Sequence, residues 1–153
     1  MNADLLFRIC NSLALAGWLA LLFTGPFQRA SRLVSSVITG LLVPALLGCV
    51  YLALIVTHWG SHRGGFDSLS HVMLLFTDPW LVLAGWVHYL AFDLFIGSWQ
   101  VRDARRNGIS FWFVIPCLLL TFMFGPIGLL LYLAVAGVAT RGKAWQAAAV
   151  AAS

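Results

Sequence analysis

Asp93 sits inside an apolar run, residues 80–99, and His88 lies in the same run. The run is long enough to cross a bilayer, for which a helix needs roughly 20 residues. A carboxylate in hydrocarbon costs several kcal/mol or is forced to keep its proton, so intramembrane acids concentrate where protons, ions or substrates are handled. The chemistry open to these two residue types is proton transfer, with a buried carboxylic acid as donor and an imidazole as base or relay. At about 100° per residue, Asp93 shares a helical stripe with Trp86, Tyr89, Gly97 and Gln100, whereas His88 points about 140° away, with Gly85, Phe92, Phe95 and Trp99. The two are therefore not an i,i+4 pair. They are placed to face opposite sides of a ligand-filled groove, or two different neighbouring helices.

Directly after the run comes Gln100-Val101-Arg102-Asp103-Ala104-Arg105-Arg106. If the helix continues, Asp103 falls near the Asp93 stripe, and Asp93, Gln100 and Asp103 make a polar ladder down to the interface, a route for protons. The alternative is packing: Asp93 hydrogen-bonds Tyr89, or Asn11 or Thr121 of a neighbouring helix, and holds helices together. His58 and His62 are spaced i,i+4 and would suit two metal ligands, with His71 further on. Gly60, Gly64 and Gly65 interrupt a helix there, and no third ligand stands at a telling spacing, so neither a metal nor another cofactor is expected. Four histidines are also too few for a membrane di-iron centre, whose sites gather about eight. A haem between His88 and a loop histidine would need ligands at mismatched depth. No G-x-S-x-G, phosphate-binding glycine loop or C-x-x-C-H occurs.

The elements that must position these residues are written in the composition. Of 153 residues 61% are hydrophobic and 9% charged, mean hydropathy is +0.94, and glutamate is absent. A soluble domain carries about a quarter charged residues, so this chain has too few to cover a water-facing surface. The net charge of +4 comes from arginines flanking apolar segments, without a basic patch interleaved with aromatics, and no nucleic-acid partner is expected. Cys10, Cys49 and Cys117 all fall within apolar stretches and make no disulfide framework. The start of the chain reads as a first spanning helix rather than a cleaved signal.

Four apolar segments predict an all-α, integral membrane four-helix bundle forming a single transmembrane domain over residues 1–153, with helices at about 5–23, 33–57, 79–100 and 111–139. Pro44 and Gly48 mark kinks in the second helix, and Gly125-Pro126 should bend the fourth. Arg29 and Arg32 fall between the first two helices, and Arg102, Arg105 and Arg106 between the last two. Arg8, Arg63, Arg141 and Lys143 fall on the opposite side if all four helices cross. The excess of arginine puts loops one-two and three-four in the cytoplasm and both termini outside.

Trp86-x-His88-x-Leu90-x-x-Asp93-Leu94-Phe95, followed by Asp103 beyond the arginines, resembles the ABA4-like family of small integral membrane proteins. Phe124-Gly125-Pro126-Ile127-Gly128 is similar to a second signature of that family, and the resemblance is best over residues 78–133. Plant members are associated with forming neoxanthin from violaxanthin in plastid membranes. The start of this chain is neither Ser-rich nor Arg-rich, so it resembles the bacterial type, expected in the inner membrane. The resemblance implies a carotenoid or similar isoprenoid lipid as ligand and the opening of an epoxide in its end group as reaction. That isomerisation needs one proton given to the epoxide oxygen and one removed from a nearby carbon. Asp93 and His88 are the catalytic candidates. Asn11, Trp86, Tyr89, Phe92, Gln100, Arg102, Asp103, Gly125 and Pro126 are the candidate substrate contacts. A binding or assembly protein without chemistry is the alternative, with Gly85, Gly97, Gly125 and Gly128 allowing close helix approach or a homo-oligomer. A metal- or haem-binding membrane protein is a minor one.

Overall fold

A computed structural model describes residues 2–61 and 64–151 of the chain, with side chains for residues 2–60 and 64–140. Asn2 opens the first helix, α1 (Ala3–Thr24), by accepting the Leu5 amide at 2.9 Å. The second, α2 (Gln28–His58), is 31 residues long, and its stretch Val34–Leu42 winds as a π-helix. Thr39 Oγ1 donates to the Val34 carbonyl five residues back at 2.9 Å, as that wider turn requires. The π stretch ends beside Pro44, whose missing N–H leaves the helix ladder one donor short. A short helix, α3 (Leu69–Leu75), follows in the connection, capped by Ser68. The Asp78 carboxylate then caps the amides of Trp80 and Leu81, with Pro79 in the first turn, and starts the 28-residue α4 (Pro79–Arg106). Two shorter helices complete the chain, α5 (Phe111–Phe124) and α6 (Pro126–Ala151).

There is no strand among the described residues, and the all-α class expected from the sequence is the one observed. Helices α1, α2 and α4 are long and apolar enough to cross a membrane. Leu41, Leu42, Leu46, Leu52 and Val56 all stand exposed along α2, a surface that only lipid would cover favourably.

The bundle is built around α4. Helix α1 runs parallel to it: Asn11 meets Trp86, the Trp18 ring lies where a methyl group on Gly97 would be 2.6 Å away, and Arg105 reaches the Gly25 carbonyl. Helix α2 runs antiparallel: Arg102 donates to the Ser35 carbonyl, Ser98 to Thr39, and His58 stacks on Trp80 near the far end. Leu47, Val87, Leu94, Val101, Val114 and Leu118 are fully enclosed between these helices.

The fourth member of the bundle corrects an expectation. Residues 111–139 are not one bent spanning helix but a helical hairpin, α5 and α6. Gly128 packs directly against the Thr121 amide and the Cys117 carbonyl, a contact that no single helix permits. Gly125 makes the reversal with φ +48°, where a side chain would be strained, and Pro126, with no N–H to place, begins the returning helix. Along α4 the sequence of contacts is Thr121 at Gln100, Gly125 at Asp93, then Tyr132 at Asp103. The hairpin thus enters from the arginine end, reaches the middle of the bundle and returns. The 14 residues of α5 rise about 21 Å, short of the ~30 Å hydrocarbon core.

This turn also changes the direction in which the last helix runs. Helix α6 leaves the bundle at the end that carries Arg29, Arg32, Arg102, Arg105 and Arg106, the end opposite to Asn2.

Candidate functional site

Asp93 lies halfway along α4, where the hairpin turns. Its carboxylate packs on the bare backbone of Gly125, and a methyl group there would stand 3.0 Å from Oδ1. The other oxygen, Oδ2, is buried without a hydrogen-bond partner. The Tyr89 hydroxyl is its polar neighbour one turn earlier, but that hydroxyl donates to the Phe122 carbonyl at 3.0 Å, near the end of α5. A buried carboxyl oxygen left without a partner is uncommon, because desolvating it is not compensated. Asp93 as a residue is half-buried, and it is not bridged to Arg102, which engages α2 instead.

Tyr89 connects this carboxylate to a groove between α1, α4 and the hairpin tip. The groove has a volume of about 240 Å³ and is lined by Asn11, Leu15, Trp18, Trp86, Tyr89 and Phe122, among others. Trp86 Nε1 donates to Asn11 Oδ1 at 3.3 Å across its upper end. Beyond Trp86 a second hollow of about 390 Å³ continues between α1 and α4 toward Phe76 and Pro79. Trp86 lines both hollows, and the walls of both are mainly apolar.

Three of the candidate contacts, Asn11, Trp86 and Tyr89, are therefore brought to one groove, with Asp93 and Gly125 just behind Tyr89. Pro126 is exposed on the turn itself. The ladder Asp93, Gln100, Asp103 exists in the sense that all three residues face the hairpin. The two lower rungs, Gln100 and Asp103, are each closed by a partner, however. Gln100 Nε2 donates to Thr121 Oγ1 at 2.9 Å with both side chains fully buried, and Tyr132 donates to Asp103 at 2.6 Å.

His88 is not brought to Asp93. It is exposed on the other side of α4, stacked on Phe92 with ring centres 4.5 Å apart and facing Tyr51 of α2. It lines a separate apolar hollow of about 270 Å³ with Ile55, Trp59, Phe66 and Phe76. Phe92 follows it to that side, and Arg102 points to the π stretch of α2. Of the two placements open to Asp93 and His88, one groove or two different neighbouring helices, the geometry has the second: an offset of about 140° on a helix between α1 and α2 sends His88 to Tyr51 of α2 and Asp93 to Gly125 of the hairpin.

His58 stacks on Trp80, and His71 pairs with Asp67 through Nδ1 at 2.8 Å. His62 lies outside the described residues. Among the described residues no three metal-binding side chains gather. The sequence reading missed Tyr132 as the partner of Asp103 and the Phe122 carbonyl as the partner of Tyr89. A lone hydroxylated ring in the apolar run after Pro126 was the available signal for Tyr132; a backbone carbonyl offers none.

No protein of curated function and no solved structure matches the chain. A family profile described as ABA DEFICIENT 4-like matches residues 5–132. The match takes in the first two helices as well as α4, and it ends at Tyr132, the residue that closes the hairpin onto Asp103. The chain belongs to the ABA4-like family.

Proposed function

We propose that this protein binds a carotenoid or similar isoprenoid lipid in the apolar hollows between α1 and α4 and isomerises its polar end group by proton transfer. The observation that carries this reading is the buried, unpartnered Asp93 Oδ2 next to Tyr89, a residue that lines one of those hollows. In this reading the Tyr89 hydroxyl turns from the Phe122 carbonyl and passes the proton between Asp93 and the ligand. Opening a 5,6-epoxide to an allenic alcohol fits this arrangement: one proton goes to the epoxide oxygen, one leaves a nearby carbon, and no electrons are exchanged. His88, on the other face, has no part in that step and lines a second apolar surface. By the distribution of arginine the hairpin enters from the cytoplasm of a bacterial inner membrane.

The test is expression in hosts that make epoxidised and unepoxidised carotenoids, with pigments separated by chromatography. The parent should convert one end group to an isomer of equal mass. Asp93→Asn should lower that conversion about 100-fold or more, the scale of a lost acid–base group, and Tyr89→Phe should lower it as well. A parent that leaves every carotenoid unaltered, or an Asp93→Asn variant as active as the parent, overturns the assignment.

A second reading, a binding or assembly protein without chemistry, is favoured by the Gln100–Thr121 and Ser98–Thr39 pairs, which are buried, mutually satisfied and suited to holding helices together. It predicts a pigment or lipid that co-purifies unaltered with parent and Asp93→Asn alike.

A further inference from the structure

At the arginine end, α2 and α4 enclose a cleft of about 340 Å³ lined by Arg32, Ser35, Ser36, Arg102, Arg105 and Arg106. No carboxylate lines it. Asp103, the acid nearest in sequence, faces the opposite way and is taken up by Tyr132 and Asn107. Two of the arginines are held in place by neutral groups: Arg102 by the Ser35 carbonyl, and Arg105 by the carbonyls of Gly25 and Gln28 at 2.7 and 2.8 Å. Carbonyls fix a guanidinium without cancelling its charge. Arg32 and Arg106 line the same cleft as Arg102 and Arg105. Among the described residues Arg32 and Arg106 have neither hydrogen-bond nor ion-pair partner.

The local backbone maintains this arrangement. The π stretch of α2 presents the Ser35 carbonyl sideways, and at Gly40 a Cβ would collide with both that carbonyl and the Arg102 guanidinium. Four like charges gathered in one cleft, with two donors left over and serine hydroxyls beside them, are the recognition chemistry of a phosphate. The surroundings are apolar. Leu33 and Val37 stand exposed on α2, and Arg102 lies 5.9 Å over the Phe95 ring. Basic pockets between spanning helices at a membrane face suit anionic headgroups, whose chains can lie along such a surface.

We propose that this cleft is a binding site for a phosphate-bearing anion, either the headgroup of an acidic phospholipid or a soluble phosphate compound. The test uses the full-length protein in an uncharged detergent. Melting temperature is followed with added phosphatidylglycerol, phosphatidylcholine of the same chains, or inorganic pyrophosphate, and retained lipid is counted by native mass spectrometry. Phosphatidylglycerol should raise the melting temperature by several degrees and remain bound, and phosphatidylcholine should not. Arg32→Gln/Arg106→Gln, two side chains that hold nothing in the fold, should melt like the parent without lipid and bind phosphatidylglycerol about tenfold more weakly. Arg8→Gln, at the other end of the bundle, should retain the response. Equal stabilisation by pyrophosphate assigns the site to a soluble phosphate, and stabilisation by phosphatidylglycerol alone assigns it to lipid. Equal responses to both lipids, a double variant that binds like the parent, or the same loss in Arg8→Gln overturns the site.

Discussion

Thr121 shows how one hydroxyl holds two helices. It donates to the Cys117 carbonyl of its own helix and accepts from Gln100 of α4, with both side chains closed off from any solvent. Removing one partner leaves the other buried and unsatisfied, which costs roughly 1–3 kcal/mol, whereas replacing both by apolar groups is close to neutral. Thr121→Val alone should therefore lower stability in detergent by that amount, and Gln100→Leu/Thr121→Val should recover most of it. A double variant no better than the single one would show that the pair is not an isolated contact. Asp93 is the contrasting case. Its free oxygen has no partner to lose, so Asp93→Asn should change conversion of a ligand far more than it changes melting.

Among the elements, the hairpin depends on two small residues. Gly125 holds a positive φ against the Asp93 carboxylate, and Gly128 lies where any Cβ would strike the backbone of α5. Overpacking costs about 1–3 kcal/mol where neighbours can shift, and here the neighbour is backbone. Gly128→Ala should destabilise by at least that much, measured by thermal unfolding in detergent. Gly48→Ala, in α2, meets nothing within 4 Å and should be neutral or stabilising by up to about 1 kcal/mol. If both substitutions behave alike, close packing in the hairpin is not what holds it. Asp67, just ahead of α3, pairs with His71 on that helix. A hydrogen bond from His71 holds the Asp67 carboxyl below the usual carboxylate range. A carboxyl lowered in the folded state stabilises above its ordinary range, and that contribution is lost as pH falls through the lowered value. Protection factors at the first turn of α3, exchange rates corrected for the intrinsic effect of pH, should therefore fall on acidification in the parent and less so in Asp67→Asn.

For the whole molecule, the hairpin decides topology. With three helices long enough to cross and a hairpin that turns back at mid-bundle, α6 leaves at the arginine end, whereas a fourth full-length helix would leave at the end of Asn2. A fluorescent reporter fused after Ser153 should be active if that end lies in the cytoplasm, and alkaline phosphatase fused there should be inactive. Cysteines placed at Asn2 and Asn107 should react with an impermeant reagent from opposite faces. A C-terminal reporter on the same side as Asn2 would refute the hairpin. The arrangement also explains why Asp93 sits at the depth it does. Irregular backbone is tolerated in the middle of a membrane only where it is buried in protein or lines a cavity, and the Gly125 turn is both buried and beside the groove.

Three helices long and apolar enough to span were legible in the amino-acid sequence, and so was the stripe of Asp93, Gln100 and, on condition that the third helix ran past Gln100, Asp103. They follow from local composition and from the helical repeat, which act over a few residues. Gly125-Pro126 was legible as a break, but a bend and a full reversal begin with the same residues. The choice between them rests on Gly128 against α5 and Tyr132 beneath Asp103, contacts that only the folded chain brings together. Likewise the repeat placed His88 and Asp93 on different faces of α4, while which neighbour and which groove each face meets was decided by packing. α1 and the hairpin close on the Asp93 side, α2 closes on the other, and the one carboxylate oxygen left without a partner is a property of that assembly rather than of any segment alone.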